Sequence, residues 1–94
     1  MVVARKITRN EDVVYRDLAA GEGAVLLHVP SGAYHGLNEI GSLIWGLIDG
    51  ERTRDDIVNE LRAQLEEPPS EVGDEVDEFL DDLRQRNLIR EEQR

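Results

Sequence analysis

Ninety-four residues, 39% hydrophobic and 34% charged, are enough for one folded domain with a modest core, and residues 1–94 read as a single domain. No apolar run approaches the roughly 20 residues that cross a bilayer, and the absence of cysteine excludes disulfides and cysteine metal sites while fitting a reducing, cytoplasmic setting. A formal net charge of −10 sets the chain against duplex nucleic acid and anionic membrane surfaces as partners.

In chain order, the basic start with Arg5, Lys6 and Arg9 leads into no long apolar core and so does not read as a signal peptide. Val2, Val3 and Ile7 hint at a short extended segment there. Val13-Val14-Tyr15 is a β-branched and aromatic run, followed by a break at Gly21-Glu22-Gly23. Ala24 to Val29 is a second apolar run, and Ala33 to Leu37 a third. Between them, Pro30-Ser31-Gly32 is a turn, because proline presets φ and glycine supplies positive φ. Segments 24–29 and 33–37 therefore pair as a hairpin.

From Asn38 the apolar period changes from strand to helix. Asn38 suits an N-cap, and Ile40, Leu43, Ile44, Leu47 and Ile48 make the stripe of a helix packed on one side. Gly50 fits the C′ position. Thr53 followed by Asp56 resembles a capping box for a second helix, whose buried edge is Ile57, Leu61 and Leu65 before Pro68-Pro69 ends it. Ser70 is expected to cap a third helix carrying Val72, Val76, Phe79, Leu80 and Leu83, with Asn87 as terminator. Leu88-Ile89 then folds back onto the core. The expected fold is α+β and winged-helix-like: a small three-stranded antiparallel sheet followed by three helices.

Chemistry-bearing constellations are scarce. His28 and His35 fall on neighbouring strands of the hairpin, but two histidines without a third ligand make a poor metal site, so they read as half-exposed strand residues and no metal or cofactor is expected. Ser31, Ser42 and Ser70 fit a turn, a helix surface and a cap; the glycines show no phosphate-loop spacing. Non-catalytic function follows. Gly41 and Gly46 lie off the apolar stripe and mark either a close approach of another element or a neutral surface. Trp45, also off the stripe, either closes the edge of the core or belongs to a partner surface.

Three helices in this order invite comparison with DNA-binding winged helices. The candidate reading helix, however, carries Glu71, Asp74, Glu75, Asp77, Glu78, Asp81 and Asp82 against Arg84 and Arg86. Residues 51–94 hold 15 acidic and 7 basic side chains. Such a face would be repelled by phosphates.

The order of elements, Tyr34 to Leu37-Asn38, Ile44-Trp45, Asp49-Gly50 with Thr53, and Phe79-Leu80, Leu83 and Leu88-Ile89 together resemble the pyrroloquinoline quinone biosynthesis protein D (PqqD) family, also called the RiPP recognition element. The resemblance spans about residues 10–90. Asn87-Leu88 departs from it, since many relatives carry a glycine before the final apolar pair. The resemblance implies a small chaperone that binds the leader of a ribosomally made precursor peptide as an extra strand beside the third strand, in a groove closed by the third helix. It carries Ala33, Tyr34, His35 and Gly36 over as the pairing backbone, and Val76, Asp77, Leu80, Asp81 and Arg84 as the helical wall. Its implied partners are the leader peptide and a leader peptidase, cyclase or radical modifying enzyme. A lasso-peptide precursor is favoured, with the quinone-cofactor pathway and a general protein-interaction module as alternatives.

Overall fold

The computed structural model describes residues 5–18, 23–65 and 70–93. Val2, Val3, Gly21 and the Pro68-Pro69 stop lie outside them. The order is β1 (Arg5–Arg9), β2 (Val13–Asp17), β3 (Ala24–His28), β4 (Ala33–Leu37), α1 (Glu39–Leu47), α2 (Arg54–Gln64), α3 (Val72–Gln85) and β5 (Ile89–Gln93). The α+β expectation holds, with β2-β3-β4 as the antiparallel three-stranded sheet. A second, two-stranded sheet pairs β1 with β5, Ile7 opposite Glu91. In the sequence its two strands show only as a hint at Ile7 and a folded-back apolar pair.

Local chemistry explains most boundaries. In the β3–β4 turn the Gly32 N–H donates to the His28 carbonyl at 2.9 Å, with Gly32 at φ +72. Ser31 Oγ accepts from the Ala33 N–H at 3.2 Å. Gly23 cannot be replaced: its φ is +83, and a methyl group there would overlap the Leu37 carbonyl oxygen. Asn38 caps α1 by accepting from the Gly41 N–H at 2.7 Å, and Thr53 with Asp56 closes a complete capping box on α2.

Two caps differ from expectation. Ser70 sits in a turn, and the cap position of α3 is Glu71, whose φ of −92° and ψ of 14° leave no side-chain cap bond. The chain has already begun to coil there, so no extended residue precedes the helix. Likewise α1 ends on Ile48 as its cap, one residue earlier than Gly50 as C′ requires. Asp49 then organises the bend, accepting from the Glu51 and Arg52 N–H groups at 2.9 and 3.0 Å. Those bonds hold its carboxyl below the ordinary range.

The end of α3 is a Schellman motif. The Leu88 N–H reaches the Leu83 carbonyl at 2.9 Å, the Asn87 N–H reaches Arg84 at 3.1 Å, and Asn87 takes φ 64. Asparagine, tolerant of the left-handed region, thus serves at a position that glycine commonly fills.

One core joins the parts. Ile7, Leu26, Leu37, Ile44, Ile57, Leu61, Leu80, Leu83 and Ile89 are all buried in a single cluster. Trp45 belongs to it at 2% exposure, so it closes the core and offers no partner surface. Arg9 of β1 covers its ring, 4.9 Å from the centroid, and donates to the Trp45 carbonyl at 2.6 Å. Gly41 is a close-approach site, where a methyl would stand 3.2 Å from the Phe79 ring, whereas Gly46 faces open space.

Candidate functional site

In an antiparallel ladder each residue turns both backbone polar groups to one side, alternating along the strand. The Val29 N–H donates to Asp12 and the Leu18 N–H to Gly23, which turns Val25 and Leu27 toward β2 and Ala24, Leu26 and His28 toward β4. Through the register Leu26↔His35 and Ala24↔Leu37, the backbone of His35 and Leu37 is used by β3. The N–H and C=O groups of Tyr34 and Gly36 therefore point off the free edge of the sheet. An open edge of this kind is a template for another strand.

Side chains alternate with the same period. Leu37, buried, and His35, half-buried, face the helices; Tyr34, 73% exposed, faces away. Across the edge stands α3. Its turns place Val76, Leu80 and Leu83 inward and leave two flanks of opposite orientation. Glu75, Phe79, Asp82 and Arg86 share one, and Asp77, Asp81 and Arg84 share the other.

Contacts assign the flanks. Phe79 packs near Gly41, and Asp82 Oδ2 lies 3.7 Å from His35 Nε2. Arg86 Nε donates to both Asp82 oxygens at 3.1 and 3.2 Å. A cleft of about 240 Å³ follows this flank, lined by His28, Ser31, Ala33, Tyr34 and His35 of the hairpin and by Arg86 and Leu88. Burial, aided by the Arg86 charge and opposed by Asp82, pushes the His35 pKa below 6.5, so the ring is neutral at neutral pH.

The other flank belongs to an ion-pair network. Arg54 of α2 donates to Asp77 at 3.1 Å, to Asp81 at 2.6 Å and to Glu91 of β5. Burial works against the Arg54 charge, but these hydrogen bonds outweigh it and raise its pKa. Arg84 approaches Asp81 at 3.8 Å. The larger polar cleft here, about 440 Å³, holds three cations and three carboxylates that already compensate one another.

The expected site is thus divided. Ala33, Tyr34, His35 and Gly36 lie together on the open edge. Val76 and Leu80 are fully buried, so they back the wall from within the core and cannot floor an open pocket. Asp77, Asp81 and Arg84 sit on the flank turned to α2 and β5. The residues facing the edge, Phe79, Asp82, Arg86 and Leu88, went unselected: spacing groups them on one flank but does not say which flank meets β4. No group of three or more His, Asp or Glu side chains fit to hold a metal occurs among the described residues.

The family described as Coenzyme PQQ synthesis protein D (PqqD) matches residues 23–89, well over half of the chain. The chain belongs to the PqqD family. A PqqD relative from Pseudomonas syringae pv. syringae (strain B728a), named PqqA binding protein, is 47% identical over 53 residues, 56% of this chain and 55% of its own length. The chain thus spans about half the length of that relative. The PqqA binding protein of Pseudomonas fluorescens (strain Pf0-1) is 43% identical over 70 residues, 74% of each chain. Among solved structures, TbiB1 in complex with the TbiA(beta) leader peptide superposes with a TM-score of 0.73 at 28% identity, covering 87% of this chain and 93% of that one. A lasso peptide synthetase B1 complexed with the leader peptide, 18% identical with a TM-score of 0.74 over 90% and 98% of the two chains, shares the PqqD-like fold.

Proposed function

We propose that this chain binds the leader of a ribosomally made precursor peptide and holds it, without catalysis of its own, for modifying or processing enzymes. The observation that carries the reading is the open β4 edge, where Tyr34 and Gly36 present backbone groups unpaired among the described residues, opposite the Phe79–Asp82–Arg86 flank of α3. Strand addition satisfies those groups whatever the peptide's side chains, and the cleft then selects among peptides. His35 and Arg86 offer it an imidazole and a cation held by Asp82, and Ala33 and the mostly buried Leu88 complete the lining.

Relatives named for PqqA binding and a neighbour solved with the TbiA(beta) leader peptide support the same class of ligand. A PqqA-like precursor and a lasso-type one are therefore the two ligands to compare. A PqqA-like precursor implies a radical modifying enzyme as partner; a lasso-type precursor implies a leader peptidase and a cyclase. We place the encounter in the cytoplasm, where precursors are made. No helix among the described residues is long and apolar enough to cross a membrane.

Calorimetric titration with synthetic PqqA, the TbiA(beta) leader and the precursor encoded nearest this gene tests the reading. Saturable binding of one of them is expected; a folded protein that binds none at tens of micromolar contradicts it. Gly36→Pro deletes an N–H that points off the sheet, a position where proline is tolerated. It should weaken binding about two- to tenfold, the worth of one hydrogen bond, with the fold retained.

A further inference from the structure

Gly36 has no internal explanation. Its φ is not in the left-handed region, and a methyl group added to it would meet nothing within 4 Å among the described residues. Neither backbone conformation nor packing among the described residues calls for glycine, yet glycine inside a strand is destabilising against alanine. A strand glycine of this kind marks the approach of a ligand or of another backbone.

Its surroundings say what approaches. Gly36 continues the cross-strand row Arg16–Val25–Gly36, and beside it runs Val14–Leu27–Tyr34. Both rows lie on the sheet face turned away from the helices. Val14 is 48% and Tyr34 73% exposed, Val25 and Leu27 are half-buried, and Arg16 is the one charged residue of the six. On a chain of net charge −10 this face is apolar and nearly uncharged. It ends at the edge where Tyr34 and Gly36 turn their backbone outward.

We propose that this outer face is a second readout surface for the peptide, and that Tyr34 and Gly36 determine specificity there. The inference rests on strand addition at β4. In an antiparallel added strand, peptide residues opposite His35 face the α3 cleft, and those opposite Tyr34 and Gly36, two positions apart, face outward. The residue opposite Gly36 carries a large flat apolar side chain that lies across the glycine toward Val25. The residue opposite Tyr34 is apolar and packs on its ring, as cross-strand neighbours do at about 5 Å between Cβ atoms. A bound leader thus shows apolar residues at i and i+2 on the side away from the cleft.

The test uses the tightest binder among PqqA, the TbiA(beta) leader and the neighbouring precursor, with serine substitutions along the bound segment. The two outward positions should each lose about fivefold or more in affinity, and Tyr34→Ser a similar factor. Gly36→Val, folded because its side chain has open space, should bind the parent peptide about tenfold more weakly, and trimming the facing peptide residue to alanine should recover most of that loss. Circular dichroism of both variants checks that they remain folded. Tight wild-type binding with flat responses at the outward positions, or Gly36→Val binding like wild type, overturns the outer-face inference and leaves strand addition standing. Absence of binding to every peptide removes both.

Discussion

Asn87 and His35 each carry more than their exposure suggests. Asn87 holds the left-handed turn that lets Leu88 and Ile89 re-enter the core, and its carbonyl accepts from the Asn10 side chain at 2.6 Å. Asn87→Gly keeps both the turn and that carbonyl, so thermal stability should change little. Asn87→Val, which crowds Cβ against the following carbonyl, should cost about 1–2 kcal/mol in urea unfolding. His35 predicts a pH dependence. Its folded pKa lies below 6.5, so as pH falls the unfolded chain takes up a proton first. Stability from this group is complete above about pH 6.5 and declines as pH drops toward the folded pKa. Thermal midpoints of wild type and His35→Asn should therefore converge as pH is lowered from about 7 to 5. Parallel curves would mean that the imidazole is not held neutral.

Elements differ in how far their residues announced them. The β3–β4 hairpin, the Asn38 cap and the Thr53–Asp56 box were legible, because each rests on residues within a few positions of one another. The β1–β5 sheet was not. Arg-Lys-Ile-Thr-Arg and Ile-Arg-Glu-Glu-Gln hold one apolar residue each, and their pairing closes nearly the whole chain into a loop. On the side away from β5, β1 is held by the segment between α1 and α2, the Ile7 N–H donating to the Arg52 carbonyl and the Gly50 N–H to the Ile7 carbonyl. The outward flank of α3 was hidden for a related reason: a helix period separates faces, and only packing names their neighbours. Arg54 does that naming, tying α2 to Asp77, Asp81 and Glu91. Arg54→Gln leaves three carboxylates clustered without their cation, and Glu91 is only 11% exposed. A loss of roughly 1–3 kcal/mol at neutral pH is expected, partly recovered at high salt or mildly acidic pH. Peptide affinity should hardly change, because this flank faces away from β4. A large loss of binding in the folded variant would return Asp77 and Asp81 to the site.

For the molecule as a whole, two sheets and three helices share one core and leave the β4 edge open beside α3. The acidic excess lies mainly in α3 and its neighbours, part of it consumed by Arg54 and Arg86. That arrangement leaves backbone groups of β4 to find their own partner. In the proposed function Tyr34 and Gly36 are the residues that pair with it. Amide hydrogen exchange followed residue by residue, with and without saturating peptide, measures this directly. The N–H groups of Tyr34 and Gly36 should exchange quickly in the free protein and become strongly protected on binding, while His35 and Leu37, already bonded to β3, change little. Protection that appears at Asp77, Asp81 and Arg84 instead, with Tyr34 and Gly36 unchanged, would contradict the account.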